Sequence, residues 1–123
     1  MELGMQIVER RIGPVTILDL RGWLALGEGE VTLRDCVDAL IREDRVQVVL
    51  NFNDVTGIDS CGIGMVVAKC LSLRRRGGDL KLLHLTDRSH RVLAITHLLS
   101  VFEAFASEDE AVRSFSAKRE PAA

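Results

Sequence analysis

The run Val46-Gln47-Val48-Val49-Leu50-Asn51-Phe52 constrains the fold more than any other part of the chain. It is short, rich in branched side chains and almost wholly apolar, the signature of a central strand covered on both faces. Such a strand needs neighbours, and the flanking sequence supplies them. Gln6 to Arg10 and Val15 to Arg21 read as strands joined by the turn residues Ile12-Gly13-Pro14, which predicts an N-terminal hairpin. Gly22 to Glu30 holds three glycines and reads as a loop, after which Leu33, Val37, Leu40 and Ile41 recur at helical spacing. Asn53 to Asp59 reads as a second loop. Beyond it Ile63, Val66, Val67, Cys70 and Leu71 fall on one stripe of a helix, with Met65, Lys69 and Ser72 facing elsewhere. Arg74-Arg75-Arg76 suits the last turn of that helix and Gly77-Gly78 its stop. Asp79 to Leu85 reads as a strand, Ser89 to Leu99 as a helix, Val101 to Phe105 as a short strand and Glu108 to Ser116 as a last helix. Strands alternating with helices after a hairpin predict an α/β sandwich, a mixed central sheet with about four helices. With 123 residues the chain has room for one core, so residues 1–117 are expected to form a single domain and 118–123 a disordered tail.

Charge and cysteine content narrow the function classes. Sixteen basic against eighteen acidic residues give a net charge of -2, without the positive field that direct nucleic-acid binding needs. No apolar run reaches the ~20 residues of a membrane span, and the N-terminus carries no targeting pattern, so a cytoplasmic protein without membrane insertion is expected. Cys36, Cys61 and Cys70 form neither a CxxC pair nor an even set, which argues against a disulfide framework and a zinc site. His84, His90 and His97 lack metal-binding spacing, and Gly27-Glu28-Gly29 lacks the Gly-Lys-Ser or Gly-Lys-Thr of a phosphate loop. No metal or cofactor is expected.

The informative segment is Val55-Thr56-Gly57-Ile58-Asp59-Ser60-Cys61-Gly62-Ile63-Gly64, between the apolar strand and the second helix. Ligands and modifications in α/β sheets gather beyond the carboxyl ends of strands, and a helix start leaves backbone N–H groups free. Asp59 or Ser60 as a simple helix cap, contributing about 1 kcal/mol, is the bland explanation. Two glycines in the first helical turn argue for more, since each costs about 0.8–1 kcal/mol against alanine. Gly62 and Gly64 are expected to keep the surface around Ser60 low, so that a partner can approach closely. A serine hydrolase would need glycine two residues before the nucleophile, where Ile58 stands. Cys61 at the helix start could form a stabilised thiolate, but a small structural residue is the simpler reading.

The Asp59-Ser60-Cys61-Gly62-Ile63-Gly64 run after Leu50-Asn51-Phe52-Asn53-Asp54-Val55 resembles the hallmark of the STAS family, the sulfate transporter and anti-sigma antagonist domain. Gly22, Gly77-Gly78 and Ala111-Val112-Arg113-Ser114-Phe115 add to the likeness, which spans roughly residues 5 to 116. The resemblance implies a stand-alone bacterial anti-sigma factor antagonist, a binder rather than an enzyme. It implies that Ser60 is phosphorylated by a serine-kinase anti-sigma factor, which brings the ATP, and restored by a PP2C-type phosphatase. The unmodified form would bind the anti-sigma factor and release sigma. Asp59, Ser60, Cys61, Gly62, Ile63, Gly64, Met65, Trp23 and Lys69 are the expected partner surface. One departure stands out: Gly22-Trp23-Leu24-Ala25 occupies the place where many antagonists carry Gly-Glu-Leu-Asp. Glu28 and Glu30 are the available acidic substitutes. A scaffold module without a phospho-switch, in a stressosome-like or lipid-transport assembly, is the alternative.

Overall fold

A computed structural model describes residues 4–118. The hairpin forms as expected: β1 (Met5–Ile12) pairs antiparallel with β2 (Val15–Leu24), turning at Gly13, whose φ of 58° suits glycine. Then follow α1 (Glu28–Arg42), β3 (Gln47–Ile58), α2 (Ser60–Arg75), β4 (Asp79–Leu83) and α3 (Asp87–Ile95). A 3-10 turn at Leu99–Val101, the two-residue β5 (Ala104–Phe105) and α4 (Glu108–Lys118) complete the described chain. The helix α4 thus includes Lys118, the first residue of the expected tail; residues 119–123 lie outside the described residues.

The five strands lie in chain order, β1-β2-β3-β4-β5, with every pair after the hairpin parallel. Right-handed crossovers that all step the same way along a sheet place their helices on one face. The larger core obeys that rule: Leu33 and Val37 of α1, Ile63 and Val66 of α2, and Leu93 of α3 pack on Leu18, Leu20, Leu50 and Leu82. The opposite face carries a smaller core, where Ala111 and Phe115 of α4 cover Val15, Ile17, Val49 and Leu83. Polar alternation is therefore absent at the start of β2, because both of its faces are buried over Val15–Leu18.

Two polar devices fasten α4. Arg10 of β1 reaches Asp19 at 2.6 Å and Glu108, the first residue of α4, at 2.6 Å, while the Asn51 amide donates to Asp19 at 2.9 Å. Beneath the helix the fully buried Lys81 donates to the Ser114 hydroxyl at 2.6 Å and lies 4.3 Å from the Phe115 ring centre. A buried ammonium persists only with such partners.

Two expected loops are strand. β2 runs through Trp23 to Leu24 and β3 through Val55 to Ile58, because the two ends zip together, with Gly22 opposite Val55, Trp23 opposite Gly57 and Leu24 opposite Ile58. Register shifts between Asp19 and Arg21 and between Gly22 and Trp23 accompany this extension. The loop that remains after β2 is three residues, Ala25-Leu26-Gly27, and between β3 and α2 only Asp59 is left.

Candidate functional site

The site is built where β2, β3 and α2 meet. Asp59 has extended backbone angles and caps α2, its Oδ1 accepting the Gly62 N–H at 2.9 Å. Its other oxygen accepts the Leu26 N–H at 3.0 Å, and its own N–H donates to the Leu24 carbonyl at 3.3 Å. One aspartate therefore ties the end of β2 and the following loop to the start of α2. Burial pushes its carboxyl up, but the N–H groups of Leu26, Gly62 and Cys61 outweigh that and hold it below the usual carboxylate range. Asp59 is thus anionic at neutral pH.

Ser60 is the first residue of α2 and is exposed to solvent. Its hydroxyl stands at the positive end of the helix dipole, beside a fixed negative charge. An open hollow of about 480 Å³ at the ends of β4 and β5 is lined by Asn53, His84, Thr86, His90 and Phe105 among others, and Ser60 is not among its walls. The serine is presented on the surface instead. Among the described residues no group of three or more metal-ligating side chains occurs.

The expected partner residues divide into a surface set and a supporting set. Ser60 and Gly64 are exposed, and Asp59 and Cys61 half-buried. Gly62, Ile63 and Met65 are buried, so the outward orientation expected of Met65 is corrected: only 9% of it is exposed. The cause is that α2 packs against both the sheet and α1, which buries a wider arc than one stripe; Leu73 joins that arc, and Leu71, expected on it, is exposed. Gly62 serves packing rather than a low surface, since a Cβ there would run into the Leu24 carbonyl oxygen. Gly64 matches the expectation, with open space where its side chain would be. Lys69 is 16% exposed and its ammonium donates to Asp38 of α1 at 2.6 Å, so it joins two helices. Trp23 is half-buried, and its ring occupies the place that a side chain on Gly57 would need. Of the expected acidic substitutes, Glu28 and Glu30 lie in the first turn of α1.

Two residues at this end of the sheet went unnoticed in the sequence. Leu26, held by Asp59, leaves 72% of its surface in water, an apolar knob in a three-residue loop. Arg88 of α3 donates to the Thr56 carbonyl at 3.4 Å and brings a cation to the end of β3. The first had a signal, a leucine between Ala25 and Gly27 in a predicted loop; the second depends on a contact 32 residues apart along the chain.

Comparison with known proteins gives a consistent family. The STAS domain model matches residues 6–111. A Thermotoga maritima structure assigned as an anti-sigma factor antagonist superposes with a TM-score of 0.80 at 23% identity, covering 89% of this chain and 94% of that one. An anti-sigma factor antagonist from Mycobacterium paratuberculosis gives 0.78 at 15% identity over 92% and 95%. The Bacillus cell fate determinant SpoIIAA in its phosphorylated form gives 0.69 at 20% identity over 89% and 98%. At these identities the likeness is one of fold.

Proposed function

This chain belongs to the STAS domain family, and from that premise we propose that it is an anti-sigma factor antagonist controlled by reversible phosphorylation of Ser60. The observation that carries the proposal is the exposed Ser60 hydroxyl, two residues past the end of β3, on a helix whose start is fixed by Asp59. In this reading the unmodified surface around Ser60, Cys61, Gly64 and Leu26 docks on a serine-kinase anti-sigma factor and frees sigma. The kinase brings ATP and transfers its terminal phosphoryl group to the Ser60 oxygen, and a PP2C-type phosphatase restores the hydroxyl. SpoIIAA, which shares the fold, is known in both a phosphorylated and an unphosphorylated form.

The switch follows from electrostatics. A phosphoryl group adds about -1.5 to -2 charges. The helix dipole offsets only about 0.3–1 kcal/mol of its cost at an exposed site, and the Asp59 carboxylate opposes it. The fold survives these nearly cancelling effects. Docking does not, because burying a dianion against a surface shaped for a neutral hydroxyl costs several kcal/mol, and each ~1.4 kcal/mol is tenfold in affinity.

Incubation with a kinase-type anti-sigma factor and ATP, read by intact mass, tests the proposal. One phosphoryl group is expected on the natural chain and none on Ser60→Ala, while Ser60→Asp is expected to weaken binding of the anti-sigma factor at least tenfold. An unmodified chain with every kinase tried, together with unaltered binding by Ser60→Asp, would favour the scaffold role instead.

A further inference from the structure

We propose that two copies of this chain associate through their β1 edges, in one register, to form a continuous ten-stranded sheet. The strand β1 is the outer strand of the sheet and is eight residues long, paired to β2 without a register break. The opposite edge, β5, has only two residues. A long unbroken edge offers a row of backbone donors and acceptors to another strand unless side chains prevent it. In β1 the side chains select a partner.

Pairing with β2 sorts them by face. Arg10 faces the α4 side, where it meets Glu108, and Ile12 lies opposite Val15 of the α4-side core. Val8, two residues before Arg10, shares that face. Val8 is 60% exposed and Ile12 39%, two large apolar side chains bare on an edge strand. Glu9 and Arg11 face the other way and pair with each other within the chain at 2.8 Å, and Arg11 also reaches Glu43 at the end of α1.

A two-fold antiparallel pair that keeps both sheets facing the same way sets one residue against its own copy. Centred on Arg10, the pair sets Val8 against Ile12 of the second copy and Glu9 against Arg11 of the second copy, each twice. Both bare apolar residues are covered on one face and opposite charges meet on the other. The Arg10 guanidiniums do not oppose the pairing, since each is turned back onto Asp19 and Glu108 of its own chain. Other centres match the apolar side chains less well: a centre at Glu9 sets Val8 against Arg10 and Ile12 against Gln6, a centre at Arg11 sets Ile12 against Arg10 and Val8 against Pro14, and a centre at Val8 sets Gln6 against Arg10 and leaves Ile12 uncovered. The ladder stops at Gly13-Pro14, where proline has no N–H to give. It therefore spans five residues from each chain, smaller than a standard interface, and the expected dimer is a weak one. Ser60 lies outside the edge, so such a dimer presents two serines.

Sedimentation equilibrium from about 10 μM to about 1 mM tests this, the range a small interface requires. The mass is expected to climb from 13.6 kDa towards twice that value. Glu9→Arg makes both positions positive and Arg11→Glu makes both negative, so each variant alone is expected to lose about tenfold or more in self-association. Mixed in equal amounts, the two variants are expected to recover it, because each now attracts the other. All four side chains at issue are solvent-exposed, and Val8→Lys is a further variant expected to lose the dimer while melting like the natural chain. A monomer throughout the range, or a dimer that ignores the single charge reversals or that the mixture fails to restore, overturns the proposal.

Discussion

Asp59 has two jobs that single substitutions can separate. As a cap it accepts the Gly62 N–H, and as a tie it accepts the Leu26 N–H, while its charge stands beside Ser60. Asn keeps a side-chain oxygen and caps as well as Asp. Asp59→Asn keeps the cap but turns an NH2 group towards the Leu26 N–H, so it loses the tie and is expected to cost about 0.5–1 kcal/mol in urea denaturation, whereas Asp59→Ala, losing cap and tie together, is expected to cost about 1–2 kcal/mol. The phosphorylation rate separates the roles further: if the carboxylate serves the kinase reaction, Asp59→Asn slows it as much as Asp59→Ala although it keeps the cap. This part of the site was legible in the sequence because strand end, cap, serine and helix start are consecutive residues, whose chemistry is local. Leu26 and Arg88 were not, because what matters about them is which distant carboxylate or carbonyl holds them in place.

At the scale of elements, the two glycines of the first turn of α2 have opposite constraints. Gly62 lies against the Leu24 carbonyl, so Gly62→Ala must push α2 away from β2 and is expected to lower stability by about 1–3 kcal/mol. Gly64 faces open space, so Gly64→Ala is expected to raise helix stability by up to ~1 kcal/mol in the same denaturation assay. A slower phosphorylation of Gly64→Ala despite that gain is the sign that the kinase needs a close approach there. Element identity was readable throughout from periodicity, from the first hairpin to α4. Element ends were less so: Asn53 to Ile58 looked like a loop because Asn53, Asp54 and Thr56 are polar, yet these residues point outward while Val55 and Gly57 are buried, and β2 extends alongside them. Met65 was misplaced for a related reason, since a helix wedged between a sheet and a second helix hides more of its circumference than one apolar stripe indicates.

Across the whole molecule, the acid response is expected to centre on the clamp between β1, β2 and α4. Hydrogen bonds from Arg10 hold the carboxyls of both Asp19 and Glu108 below their ordinary range. Between those depressed values and the unfolded values near about 4, the unfolded chain binds more protons, so stability rises with pH there. The contribution is complete above about pH 5 and is lost as pH falls through the folded-state values. Asp19→Asn removes one titrating partner and is expected to flatten the dependence of unfolding free energy on pH between about 5 and 2, as read by urea melts at a series of pH values. Because the groups are partly exposed, the loss at neutral pH is expected to stay near or below about 1 kcal/mol. Nothing in the sequence pointed to this clamp; Arg10 and Glu108 are 98 positions apart and meet only after the sheet has formed.

A single residue separates β3, paired on both sides over Val48–Asn51, from the helix that begins with Ser60. A connection that short leaves no slack for the serine to be drawn out into an extended substrate strand, as kinases that read linear motifs require. An enzyme acting there must recognise the assembled shape of the folded domain. A synthetic peptide copying residues 53–66 is accordingly expected to remain unmodified under conditions that fully convert the intact chain.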